Sequence, residues 1–187
     1  MTMLGTRTIR KMLDPIEMLT ADHERVDNLF EDFERSWPMM KRAIALQICR
    51  EVEVHATLEE EIFYPAVRAQ TSYFDGEPIE QSYQDHQEIK RMIREIERSL
   101  KSADTEKFAE RLRTLRRRIK SHVELEHSQV FPVAEQSVEL RELAFAMDAR
   151  RLQLMAKKPT PRAVALLLGA GLLLGLGYLM TGAGRKD

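Results

Sequence analysis

The sequence predicts an all-α protein: an up-down-up-down four-helix bundle, then one further helix, then a single transmembrane helix. Three observations point there. Apolar residues recur at helical spacing through most of the chain, with no sustained alternation of the kind a strand requires. Capping and turn residues interrupt that pattern where a bundle needs its corners. One arrangement of polar residues also occurs twice: Asp22-His23 followed by His55-Ala-Thr-Leu-Glu59 and Phe63-Tyr64-Pro65, and Asp85-His86 followed by His122-Val-Glu-Leu-Glu126 and Val130-Phe131-Pro132.

Residues 1–13 form a short basic segment carrying Arg7, Arg10 and Lys11 without a continuous apolar run, unlike a secretory signal. The bundle is expected over 14–136. Asp14-Pro15 supplies a cap and an early proline for a first helix over about 14–36, and Ser36-Trp37-Pro38 does the same for a second over about 38–70. Thr71 to Pro78, with Asp75-Gly76, reads as a loop before a third helix at about 79–101. Ser102-Ala-Asp104 reads as the turn before a fourth at about 104–134. Residues 137–162 comprise an additional helix and the stiff hinge Lys157-Lys-Pro-Thr-Pro161.

Ala163 to Met180 is apolar and uncharged, and Thr181 to Gly184 extend it to the length that crosses a bilayer, leaving a tail at 185–187. Lys157, Lys158 and Arg162 precede this span, with Arg150 and Arg151 further back, against Arg185 and Lys186 after it. That bias places the folded domain on the cytoplasmic side of a membrane. Gly171 and Gly175 have the spacing that lets two such helices pack into a homodimer. The remaining composition is neutral in its message. Twenty-nine Lys and Arg against 30 Asp and Glu give no global field for nucleic acid, and the one cysteine, Cys49, reads as a small core residue.

The repeated polar residues fall on the inward stripes. These run Ile16, Leu19, His23, Val26, Phe30 and Phe33 on the first helix, and Ile44, Ile48, Val52, His55, Glu59 and Ile62 on the second. The third carries Ile79, Tyr83, His86, Ile89, Ile93 and Ile96, and the fourth Leu112, Leu115, Ile119, His122, Glu126, Val130 and Val133. Counting about 1.5 Å per residue out to each corner and back brings four imidazoles and two carboxylates to one level of the bundle. A buried carboxylate or imidazole costs several kcal/mol unless it is paired, so His23, His55, Glu59, His86, His122 and Glu126 need something to satisfy them. Mixed imidazole and carboxylate donors suit iron, and also manganese or zinc. Two glutamates shared between two metals leave coordination positions open, whereas a structural zinc site is closed. Two irons is the better count.

In order and spacing these six residues resemble the hemerythrin-like (HHE cation-binding) family, over roughly Asp14 to Ala134. The resemblance implies a four-helix bundle holding an oxo-bridged non-haem di-iron centre. The oxygen-carrying members have a fifth histidine where this chain has Lys90, and an acid five residues after the last histidine, where this chain has His127 with Glu126 at four. The four-His, two-Glu set is more similar to members engaged in oxygen, nitric oxide or peroxide chemistry, iron sensing or storage, or iron–sulfur repair. A binding or sensing protein, a di-iron oxidoreductase and a structural zinc bundle are the three functional expectations.

Tyr83, one turn before His86, is a candidate hydrogen-bond donor to a bound ligand, though core packing explains it too. His127 is a candidate partner for the site, with a rim position as the plainer reading. Glu60, Glu61 and Glu124 read as solvated, and the run Arg116-Arg-Arg118 with Arg111, Arg113 and Lys120 as a wet face.

Overall fold

The computed structural model describes residues 14–70, 76–100, 105–137 and 140–156, and every segment among them is helical. Helix α1 is Pro15–Arg35 and α2 is Pro38–Leu58; a π turn at Glu59–Phe63 leads into α3, Tyr64–Gln70. Helix α4 is Glu77–Ser99 and α5 is Thr105–Leu125; a second π turn at Glu126–Val130 leads into α6, Phe131–Ser137, and α7 is Leu140–Ala156. The chain divides into two compact units, Met1–Leu152 and Gln153–Asp187; of the second, only the last turn of α7 is described.

Local chemistry explains the corners. Asp14 Oδ1 accepts from the backbone N–H groups of Ile16 (2.9 Å) and Glu17 (3.5 Å), a cap of the kind that contributes about 1 kcal/mol. Ser36 plays a different part from the one its sequence position suggests. Its Oγ donates to the Phe33 carbonyl at the end of α1 (3.1 Å), while Trp37 occupies the start of α2 without a side-chain cap. Gly76 precedes α4 with φ 74°, a left-handed conformation that glycine adopts without strain.

Helices α1 and α2 pack as one hairpin and α4 and α5 as another, with α2 against α4 and α1 against α5. One apolar layer fills the corner end: Phe30, Phe33, Ile48, Val52, Ile89, Ile93, Ile96, Leu112 and Leu115. Cys49 belongs to this layer, and burial first, then the nearby acids Glu97 and Glu53, push its thiol up to about 12. Leu19, Phe63, Tyr64, Val67, Ile79, Val130, Phe131 and Ala134 are also buried.

Up to the glutamates the expected stripes hold, with His23, Ile44, Tyr83 and Ile119 half-buried; beyond them Val130 stays inside while the inward face otherwise shifts by one residue. Ile62 and Val133 are only half-buried, while Phe63, Tyr64 and Ala134 are fully inside. The π turns are the cause. Tyr64 N–H bonds to the Glu59 carbonyl and Phe131 N–H to the Glu126 carbonyl, five residues back instead of four. Among the described residues no helix is long and apolar enough to cross a membrane. The basic segment 1–13, residues 71–75 of the expected loop, the turn at 102–104, the hinge at 157–162, the proposed span 163–184 with its Gly171/Gly175 pair, and the tail 185–187 lie outside the described residues, and Pro78, expected in that loop, is already in α4.

Candidate metal centre

The six expected residues meet in one layer, in two pairs of histidines. His23 Nε2 and His55 Nε2 are 3.1 Å apart, and His86 Nε2 and His122 Nε2 are 3.0 Å apart. Each hairpin therefore supplies one pair. The glutamates stand between the pairs: Glu59 Oε2 lies 3.0 Å from His55 Nε2 and 3.2 Å from His86 Nε2, and Glu126 Oε2 lies 3.3 Å from His23 Nε2 and 3.4 Å from His122 Nε2. Two donor groups follow, one of His23, His55, Glu59 and Glu126 and one of Glu59, His86 and His122, each with ligand atoms within 4.8 Å of one another.

Such a cluster is not self-sufficient. Both oxygens of Glu59 and Oε2 of Glu126 are buried without a hydrogen-bond partner among the described residues. An unsatisfied buried carboxylate is among the most unfavourable features a core can hold. Burial disfavours the charged form of Glu59, but His55 and then His86 outweigh it and hold its carboxyl well below the usual range. The donors thus have charge, convergence and free lone pairs toward a shared centre, which is what a pair of cations requires.

Around the donors lies a ring of orienting groups whose roles the sequence left open. The acid of each Asp-His pair reaches across its own hairpin: Asp22 Oδ2 lies 3.5 Å from His55 Nδ1, and Asp85 Oδ2 lies 3.7 Å from His122 Nδ1. Neither Nδ1 has a hydrogen-bond partner among the described residues, so these are charge contacts just beyond hydrogen-bond geometry; a carboxylate that close behind an imidazole favours one ring orientation and raises basicity at the opposite nitrogen. Gln81 Nε2 and Arg118 Nη2 hold Asp85, each at 2.6 Å. Arg25 and Arg151 hold Asp22, the latter at 2.9 and 2.5 Å.

Glu60 is not a solvated bystander. His86 Nδ1 donates to its Oε1 (3.1 Å) and Lys90 Nζ to its Oε2 (2.6 Å), so Lys90 serves the site through Glu60. The residue at the matching position in the second copy is His127, exposed, with Nε2 3.3 Å from His23 Nδ1. Tyr83 directs its hydroxyl to the Glu60 carbonyl oxygen (3.3 Å), away from the donors. The tyrosine that reaches them is Tyr64, whose hydroxyl donates to Glu126 Oε1 at 2.6 Å. Glu61 meets Arg150 at the surface, and Glu124 is exposed.

Beside the histidines lies a cavity of about 20 Å³, lined by all four rings and by Val26, Val52, Ala56, Ile89, Ile119 and Val123. That is room for one water-sized molecule against an aliphatic wall. A groove between α1 and α5, with His23 and His127 on its lining, shares Val26, Ile119 and Val123 with it.

The profile of the hemerythrin HHE cation binding domain matches residues 14–134. The chain belongs to that family. Its hemerythrin domain thus ends within α6, before α7 begins. A relative named DNA nickase, from Nostoc sp. (strain PCC 7120 / SAG 25.82 / UTEX 2576), is 30% identical over 116 residues, covering 62% of this chain and 32% of the relative. This hemerythrin-domain protein therefore matches about a third of that relative's length. No solved structure matches the chain.

Proposed function

We propose that the hemerythrin domain holds two iron ions and binds a small diatomic or peroxide ligand beside them, at a membrane to which residues 163–184 tether it. The observation that carries this reading is the pairing of the six donors, two imidazoles at each end and two unsatisfied carboxylates between, next to an aliphatic cavity the size of one small molecule. His23 and His55 would hold one iron and His86 and His122 the other, with Glu59 and Glu126 shared. Such a pair supplies two electrons to a bound ligand where one metal ion supplies one. The chain's own contribution is orientation and exclusion. Glu60 holds one imidazole by a hydrogen bond, Asp22 and Asp85 stand as charges behind two more, Tyr64 pins one oxygen of Glu126, and the valines and isoleucines keep competing water from the ligand's place.

Manganese would fit the same donors, and zinc would give the structural alternative. Iron storage and iron–sulfur repair remain alternatives to ligand binding or reduction. The relative's nickase name does not extend to this proposal.

Metal analysis with an optical spectrum tests the reading. Protein purified from cells should contain about two irons per chain and show absorption that changes reversibly with oxygen or nitric oxide. Near-stoichiometric zinc with no iron absorption would overturn it, and sustained consumption of peroxide or nitric oxide would mark an oxidoreductase.

The tether has its own test. The full chain should stay with membranes through an alkaline carbonate wash, and a chain ending at Arg162 should be released. Retention of the truncated chain would sink the assignment.

A further inference from the structure

The two copies of the site are alike in their donors and unlike in what steadies them. In the second copy Arg118, four residues before His122 on α5, secures Asp85 from within the bundle. The matching position in the first copy, four residues before His55 on α2, is Glu51, which has the wrong charge for Asp22. Arg25 partly makes up the difference, reaching Asp22 and Glu51 as Arg118 reaches Asp85 and Glu88, but its side chain is 43% exposed against 28% for Arg118. The remaining cation comes from elsewhere. Arg151 of α7 brings two nitrogens to the two oxygens of Asp22, with its side chain only 19% exposed and that of Asp22 5%. A two-pronged guanidinium–carboxylate pair fixes both position and plane, which a single lysine-like charge does not.

We propose that Arg151 is a positioning residue of the cation site: through Asp22 it sets the ring of His55, so that the His23/His55 half is completed by a helix lying outside the family domain. The inference rests on the two-cation reading above. It makes α7 part of the metal site, since the matched domain ends at residue 134 and Arg151 lies beyond it. Its neighbour Arg150 provides the control. Arg150 also joins α7 to the bundle, through Glu61 (2.6 and 3.0 Å), and Glu61 is not one of the clustered donors.

The experiment loads the full-length chain anaerobically with ferrous iron and counts metal retained against a graded competing chelator. Wild type should retain two irons. Arg151→Met should retain one as wild type does and bind the other about ten- to hundredfold more weakly. Arg150→Met should behave as wild type, and Arg151→Lys should fall between. In Arg151→Met, the further change Glu51→Arg recreates the arrangement of the second copy and should recover the second iron without α7's arginine. Equal retention by Arg151→Met and wild type overturns the inference. So does an equal loss in Arg150→Met, which would mean that docking of α7, rather than Asp22, is what counts. Failure of Glu51→Arg to restore binding overturns the equivalence of the two arginine positions. A wild-type chain that retains no iron removes the two-cation reading itself. Far-ultraviolet circular dichroism on each variant separates weakened binding from a chain that has not folded.

Discussion

Glu59→Gln should reduce iron from about two per chain to one or none, the largest single-residue effect expected in this molecule. One oxygen of Glu59 lies within 3.2 Å of a histidine from each pair, and neither of its oxygens has any other partner. Glutamine keeps the volume and one carbonyl oxygen, but it removes the negative charge from between the two histidine pairs, where the proposed cations would sit, and turns an amide N–H₂ toward one pair. Losing a shared ligand should exceed the ten- to hundredfold cost of losing an orienting group such as Asp22. Glu126→Gln should act in the same direction and less severely, because Tyr64 already engages one of that carboxylate's oxygens. Inductively coupled plasma mass spectrometry after gel filtration reads the result. Two irons per chain in Glu59→Gln would refute the shared-carboxylate assignment.

The second large effect is on stability, and its sign depends on pH. Without metal, the cluster is held by imidazolium–carboxylate attraction. Burial lowers the pKa values of His55 and His86, but Glu59, joined by Glu60 at His86, outweighs it and raises both. Stabilisation from a raised histidine is complete below its ordinary value of 6.5 and is lost as pH climbs through the folded value. Glu59 has the opposite sign. Its depressed carboxyl stabilises above the ordinary 4.5, and that contribution is lost as pH falls through the folded value. At His23 burial outweighs Glu126 and lowers the pKa. The metal-free protein should therefore weaken as pH rises above 6.5, as the imidazoliums discharge around a buried carboxylate.

Metal binding runs the other way, because cations take the neutral imidazole and compete with protons. Free cation at 100 to 1,000 times its dissociation constant adds about 2.7 to 4.1 kcal/mol, which for a chain of this size raises Tm by on the order of 10 °C. The gap in Tm between loaded and chelated protein should widen over that pH range. Differential scanning calorimetry at several pH values measures it, and a gap that narrows as pH rises would contradict the arrangement of charges described here.

Much of this was readable in the chain because helical period, corner residues and the doubled polar motif all agree. His23, His55, Glu59, His86, His122 and Glu126 sit on stripes whose phase is set by neighbours such as Val26, Val52, Ile89 and Leu115, so their convergence follows from counting. The first miss came where counting at 100° per residue ceases to apply. The extra residue in each π turn brings Tyr64 and Phe131 inward, whereas an uninterrupted helix would turn them away from the site. Pro65 and Pro132, six residues beyond the glutamates, were the available signal. Proline has no N–H to continue an α ladder, and the Glu60 carbonyl accepts from Tyr83 instead. The paired Asp22 and Asp85 were visible as a repeat, but their partners lie on the neighbouring helix of each hairpin. Arg151, 129 positions from Asp22, had no local pattern to announce it.

The division of ligands between the hairpins also dictates when the cage can close. A growing chain that has made only α1 and α2 shows His23, His55 and Glu59, half of the set, and nothing yet stands opposite Glu59. His86 follows on α4, but His23 waits for Glu126, the last donor to be synthesised and the one that follows α5. Two helical hairpins of short internal range form readily, whereas joining positions 23 and 126 demands that the pairs first dock. On the two-iron reading, metal capture is therefore a late event in maturation, and an unfinished polypeptide lacks the full donor set.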